Sequence, residues 1–220
     1  MGIRFIFQKI VRPYGKGHFL LRHGATKNIR VLDVGCGNNS VKYVKKHCPD
    51  CYYIGLDVAD CNLDDEAKLE MEEYHVVSAE NFAEKIREFE NTIDIVISSH
   101  NIEHCNEPQK VLNNMIRSLK SGGGIYMSFP SEKSVTFPNR AGCLNFYDDG
   151  THACCPVWDN IIQIFKENNM SIAYSCPNYS PIILRIVGKL NEKKSQASKK
   201  TLMGTWEYYG FESIIWGEKK

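Results

Sequence analysis

What this chain has little of narrows its class before any motif is read. It has no surplus charge of either sign: 27 Lys and Arg stand against 26 Asp and Glu, a formal net charge of +1. Nothing therefore pulls it generally toward nucleic acid or an anionic surface, and no nucleic-acid partner is expected. It also lacks an apolar run long enough to cross a bilayer. The opening MGIRFIFQKIVRPYG is interrupted by Arg4, Gln8, Lys9 and Arg12, with no small-residue cleavage site after it, so it does not read as a signal peptide. A cytoplasmic protein is the simplest expectation. An orderly cysteine framework is missing too, because the nine cysteines are odd in number and irregular in spacing. In Cys48-Pro49-Asp50-Cys51 the first thiol follows a helix instead of opening one, so no helix dipole lowers its pKa. Cys154 and Cys155 are adjacent, a poor geometry for the second pair that a zinc site needs. No metal site is read from the sequence, and reduced thiols are expected.

What is present is globular: 43% hydrophobic and 24% charged over 220 residues, enough for one sheet covered on both faces. The run Val31-Leu32-Asp33-Val34-Gly35-Cys36-Gly37-Asn38 reads as a buried strand ending in a glycine loop. A helix follows, capped by Asn38, Asn39 or Ser40. A dinucleotide fingerprint would carry a third glycine where Ser40 stands. Asp33, two residues before the first glycine, would repel a pyrophosphate but suits a ligand with an ammonium group. Here the chain resembles the class I methyltransferases that use S-adenosyl-L-methionine (SAM), whose first motif has this hydrophobic–Asp–hydrophobic–Gly–x–Gly form.

From residue 30 onward strands and helices alternate, which argues a parallel sheet. Strands are expected at Arg30–Val34, Cys51–Asp57, Tyr74–Val77, Ile93–Ser98, Ile125–Phe129, Met170–Tyr174 and Glu212–Trp216, with Gly122-Gly123-Gly124 as a turn. Helices are expected at Ser40–Cys48, Leu63–Met71, Glu80–Phe89, Pro108–Leu119 and Trp158–Asn168. The fold class is thus α/β. The resemblance implies a Rossmann-like three-layer sandwich with seven strands in the order 3-2-1-4-5-7-6, the last one antiparallel. Residues 1–29 read as a lead-in able to cap the site, and 30–220 as the methyltransferase domain. Within it, 130–156 is too long for an ordinary connection and reads as a substrate loop. Residues 189–200, with five lysines and one acid, read as a solvated insertion or as a clamp for an anionic substrate.

The resemblance also implies a cofactor site. Asp33, Gly35, Cys36 and Gly37 form its first wall. Asp57, 22 positions after Gly35 and followed by Val58, would accept hydrogen bonds from both ribose hydroxyls. Ala79, Glu80 and Asn81 would flank adenine. Ser99 and His100 would lie near the methionine part, and Ile102 over the adenine face. His104 is expected to bond nearby backbone. In the loop Asn145-Phe146-Tyr147-Asp148-Asp149-Gly150-Thr151-His152, His152 is a general base for an acceptor hydroxyl, oriented by Asp148 or Asp149; the same run also reads as an ordering turn. This loop and residues 204–212 resemble bacterial methyltransferases of capsule and surface-glycan biosynthesis, which implies a saccharide or small polar acceptor and O-methylation. S-adenosyl-L-homocysteine (SAH) would be the product. The alternatives are an NAD-dependent oxidoreductase and a non-catalytic SAM-binding partner subunit.

Overall fold

The computed structural model describes residues 9–24, 28–60 and 62–220. Parts of the expected lead-in, residues 1–8 and 25–27, and Cys61 lie outside the described residues. A seven-stranded sheet runs in the order β3-β2-β1-β4-β5-β7-β6. Its strands are β1 Arg30–Val34, β2 Tyr52–Asp57, β3 Glu73–Val76, β4 Ile93–Ser99, β5 Leu119–Pro130, β6 Met170–Tyr179 and β7 Glu212–Lys219. The pairs through β5 are parallel, and β7 runs antiparallel between β5 and β6. Order and sense are those the resemblance implied.

Alternation within β1 divides the core into two layers. Leu32 and Val34 pack with Phe82, Ile86, Val111, Leu112, Met115, Ile161 and Phe165. These come from helices α4 Phe82–Arg87, α5 Pro108–Ser118 and α6 Trp158–Glu167. Val31 packs on the opposite layer with Phe19, Leu20, Val41 and Val44, from helices α1 Lys16–His23 and α2 Ser40–His47. A short helix α3, Asp65–Leu69, precedes β3.

Four segments differ from expectation. Gly122-Gly123-Gly124 is not a turn before β5 but a bulge inside it. The register passes from Ile93 paired with Leu119 to Ile95 paired with Gly124, so extra residues are extruded. Gly122 takes φ 79° there, which glycine permits without a Cβ clash. Residues 189–200 are not a mobile insertion. They continue a 17-residue helix, α7 Ile182–Ser198, whose lysines face outward while Leu184, Gly188 and Ser195 are buried. Composition reported the outward face and missed the inward stripe. Gly188 packs against Gly204, where the next helix, α8 Thr205–Tyr209, begins. The stretch Gly15–Phe19 opens α1 and is no loose lead-in, since Phe19 and Leu20 are fully buried. The loop 130–156 contains two 3-10 turns, Glu132–Thr136 and Phe146–Asp148.

Cys48 sits at the C-terminal end of α2, donating to the Leu20 carbonyl. Burial pushes its thiol up to about 12 and that of Cys51 to about 11. That is the reverse of an activated redox pair, and the described cysteines are all free thiols. Among the described residues, no helix is long and apolar enough to cross a membrane.

Candidate functional site

Parallel strands deliver their C-terminal ends to one edge of the sheet, where open α/β sheets bind ligands. Asp33 leaves β1 fully buried: Oδ2 accepts from Ser40 Oγ at 2.7 Å and Tyr53 Oη at 2.8 Å, while Oδ1 has no partner. Burial pushes its carboxyl above the ordinary range, with Lys16, Ser40 and Tyr53 opposing. Ser40, which replaces the third glycine of a dinucleotide loop, therefore orients this carboxylate. Lys16 of α1 reaches the same corner, 3.3 Å from Ser40 Oγ.

Gly35 turns the chain at φ 79°, and a Cβ there would stand 2.6 Å from Oδ1 of Asn101. Two strand ends thus approach so closely that only glycine fits. Asn38 and Asn39 continue the turn in the left-handed region. Asn39 precedes α2 without a side-chain cap; its amide binds Asp64 instead. Asp57 ends β2 with Oδ2 accepting from the Gly37 N–H at 2.9 Å and Oδ1 from the Val58 N–H at 2.7 Å. Each oxygen keeps a second lone pair, so the carboxylate braces the glycine loop and can still accept from a diol. Cys36 contributes backbone only, its sulfur packed toward Gly55.

Beyond β2 a cavity is lined by Val58, Ala79, Phe82, Asn101, His104 and Cys105, among others. Val58 and Ala79 are brought together as expected. Glu80 and Asn81 are exposed instead, and neither lines the cavity. Glu80 is held low by its own backbone N–H and by Ser78, and Asn81 donates to Ser78 Oγ. Ile102 is buried at the start of the 3-10 turn Ile102–His104. Asn101 and Cys105, which also line the cavity, were not singled out in the sequence.

The end of β4 departs most from expectation. Ser99 Oγ pairs with Ser128 Oγ at 3.1 Å. His100, at φ 52°, has Nδ1 3.2 Å from Glu103 Oε1 and Nε2 3.2 Å from Glu212 Oε1. Both ring nitrogens are thus occupied by protein groups, not presented to a ligand. Arg12 donates to the other oxygen of Glu212 at 2.6 Å. This chain of charges escaped sequence reading because its members are up to 200 positions apart.

In the long loop Asp148 does not orient His152. Its carboxylate accepts from the N–H groups of Arg140, Leu144 and Asn145 and from Asn139 Nδ2, closing a capping box with Asn145. It is the fastener of the loop. His152, its side chain only 4% exposed, places Nδ1 2.6 Å from the Phe146 carbonyl. That oxygen only accepts, so Nδ1 carries the proton and Nε2 the lone pair. Its ring lies 4.8 Å from that of His104. His104 Nδ1 lies 3.2 Å from the Thr151 carbonyl and 3.0 Å from Thr151 Oγ1, so the backbone it bonds is near in space but 47 positions away in the chain.

The site suits SAM on its own chemistry. An orphaned, buried carboxylate oxygen awaits a cation, a glycine corner admits close approach, and a strand-end acid stands ready for a ribose. A family described as "Methyltransferase domain" matches residues 25–199. The chain is 27% identical over 146 residues to a ubiquinone biosynthesis O-methyltransferase of Hydrogenovibrio crunogenus, covering 61% of this chain and 58% of that protein. It is 30% identical over 126 residues to an uncharacterized protein of Methanocaldococcus jannaschii, covering 54% and 32%. The chain therefore spans less than two thirds of either curated relative. A SAM-dependent methyltransferase from Archaeoglobus fulgidus shares the fold with a TM-score of 0.53 at 17% identity, over 99% of this chain and 100% of that one. Geranyl diphosphate C-methyltransferase from Streptomyces coelicolor, solved with Mg2+, geranyl diphosphate and SAH, gives 0.62 at 11%, over 93% and 78%. Fold, cofactor-site chemistry and family match agree: the chain belongs to the methyltransferase domain family.

Proposed function

We propose that this protein transfers a methyl group from SAM to a hydroxyl of a small polar or saccharide acceptor. When bound, SAM supplies an electrophilic methyl on a sulfonium. The chain must hold that cofactor, aim the acceptor in line and manage one proton. Asp33 holds the ammonium, Asp57 the ribose hydroxyls, and Val58 and Ala79 the cavity beside adenine. Positioning supplies much of the rate, with effective molarities of about 10⁵ M or more.

The observation that carries hydroxyl chemistry is the state of His152. A carbonyl fixes its Nδ1–H, so its Nε2 lone pair is left for another partner, beside the ring of His104. A proton-managing group at that point serves an oxygen acceptor; an amine needs little such help. The curated O-methyltransferase relative favours the same class. A second cleft is lined by Arg12, Thr201, Trp206 and Glu207, charges and an aromatic side chain that suit a sugar. Helix α1 reaches the cofactor side through Lys16, 3.3 Å from Ser40 Oγ. The site also argues against an oxidoreductase, since the orphaned Asp33 oxygen opposes a pyrophosphate. No specific observation favours a non-catalytic subunit.

Calorimetric titration with SAH, with NAD as control, tests the cofactor side. Isotope-labelled SAM with a panel of monosaccharides, nucleotide sugars, phenols and amines tests the acceptor. Label entering hydroxyl acceptors supports the reading, and label entering amines alone overturns it.

A further inference from the structure

Glu103, His104 and His152 each bring one ligand atom to within 4.8 Å of the others. The two segments are joined through the Glu103 carbonyl, which accepts from the N–H groups of Ala153 and Cys154. The carboxylate of Glu103 is fully buried; Oε1 faces His100, and Oε2 has no hydrogen-bond partner. A buried carboxylate oxygen without a donor is costly to keep.

Both histidines are already set for ligation. Nδ1 of His152 donates to a backbone carbonyl. Thr151 Oγ1 gives its own hydrogen to Asp149 at 2.6 Å, so it must accept from Nδ1 of His104 at 3.0 Å. Each ring therefore has its Nδ1–H fixed by an outer oxygen and its Nε2 lone pair free to bind. Such outer partners are what orient metal-binding imidazoles. Asp149 Oδ2 stands 3.9 Å from Nε2 of His152, too far for a hydrogen bond to satisfy that nitrogen.

We infer that Glu103, His104 and His152 bind a divalent transition-metal ion, with positions left open for oxygen ligands of the acceptor. Two imidazoles and one carboxylate favour Zn²⁺ or Mn²⁺ over Mg²⁺, which prefers oxygen donors. Ligand atoms around one such ion lie about 3.3 Å apart at normal bond lengths, so a small inward movement of the side chains completes the set. The sequence does not show this triad, because its third member lies 48 positions beyond its second. The inference builds on the hydroxyl reading above, with the ion taking the free lone pair of His152 and binding the acceptor oxygen itself.

The test is metal binding by the full chain without acceptor. Metal-stripped protein is titrated with Mn²⁺ followed by EPR and with Zn²⁺ followed by calorimetry; Mg²⁺ serves as control. The expected result is one ion per chain, two ¹⁴N imidazole couplings in the Mn²⁺ electron spin-echo spectrum, and at least tenfold weaker binding in His104→Ala and His152→Ala. No stoichiometric site, or an ion without nitrogen couplings, overturns the inference; the couplings decide it even where a variant fails to fold. SAH binding and hydroxyl methylation without any metal dependence would leave the proposed function standing and remove the metal. Nitrogen-ligated metal in a protein that methylates only amines would do the opposite.

Discussion

His100 and Glu212, 112 positions apart in the chain, face each other at 3.2 Å from Nε2 to Oε1. With Glu103 on the other ring nitrogen and Arg12 on the other carboxylate oxygen, charges alternate across the sheet edge. Burial disfavours the imidazolium, but Glu103 and Glu212 outweigh it and raise His100 from 6.5 to about 9. Burial likewise opposes the Glu212 carboxylate, and Arg12 with His100 brings it from 4.5 to about 2. A raised histidine stabilises fully below its unfolded pKa and stops doing so as pH climbs through the folded one. A depressed carboxylate stabilises above its unfolded pKa, with loss as pH falls through the folded one. This pair therefore contributes most between about 4.5 and 6.5. Thermal melts should decline from pH 7 toward 10, and His100→Gln should flatten that alkaline limb. Glu212→Gln, which leaves His100 paired with Glu103 and Arg12 with Glu207, should cost about 2–3 kcal/mol.

Asp57 braces the Gly37 and Val58 N–H groups, and under the proposed function it also accepts from ribose. Asp57→Asn keeps the volume but sets an amide donor against one of those N–H groups. SAH affinity, read by calorimetry, should fall about 10–100-fold, the loss of one or more charge-assisted bonds. Unchanged affinity would remove Asp57 from the cofactor site.

Gly35→Ala combines a left-handed φ with a Cβ 2.6 Å from Asn101 Oδ1. The expected cost is about 1–3 kcal/mol in stability, together with weaker SAH binding. Gly35→Ala with Asn101→Gly should recover only the part of the stability lost to the clash, because the left-handed φ remains.

Asp148 and Asp149 are adjacent and should separate in experiment. Asp148→Ala removes the acceptor of three backbone N–H groups and should lower the melting temperature, at about 1–2 kcal/mol. Asp149→Ala releases Thr151, and through it His104. It should reduce methyl transfer with little change in thermal stability.

Gly188→Ala would place a Cβ 1.9 Å from the Gly204 carbonyl. Helices α7 and α8 must then part, at about 1–3 kcal/mol, while SAH affinity should stay unchanged.

The sheet was legible because each strand carries its own local signal: an apolar run such as Val31–Val34, then an acid or glycine. The glycine loop was legible for the same reason. The lysine-rich half of α7 was not, because composition outweighed a sparse buried stripe of Leu184, Gly188 and Ser195. Gly122–Gly124 resembled a turn, and only pairing with β4 shows it to be a bulge. The role of His100 was hidden for a different cause. Its partner Glu212, 112 positions away, is chosen by the fold and not by neighbouring sequence.

Strand β7 lies between β5 and β6, so the penultimate strand reaches the sheet only through the last one. The same strand carries Glu212, which fastens Arg12, and Trp216, whose indole N–H is held by the Tyr14 carbonyl. A chain halted before residue 212 would possess every cofactor-side residue and yet leave β6 and the N-terminal cover without an anchor.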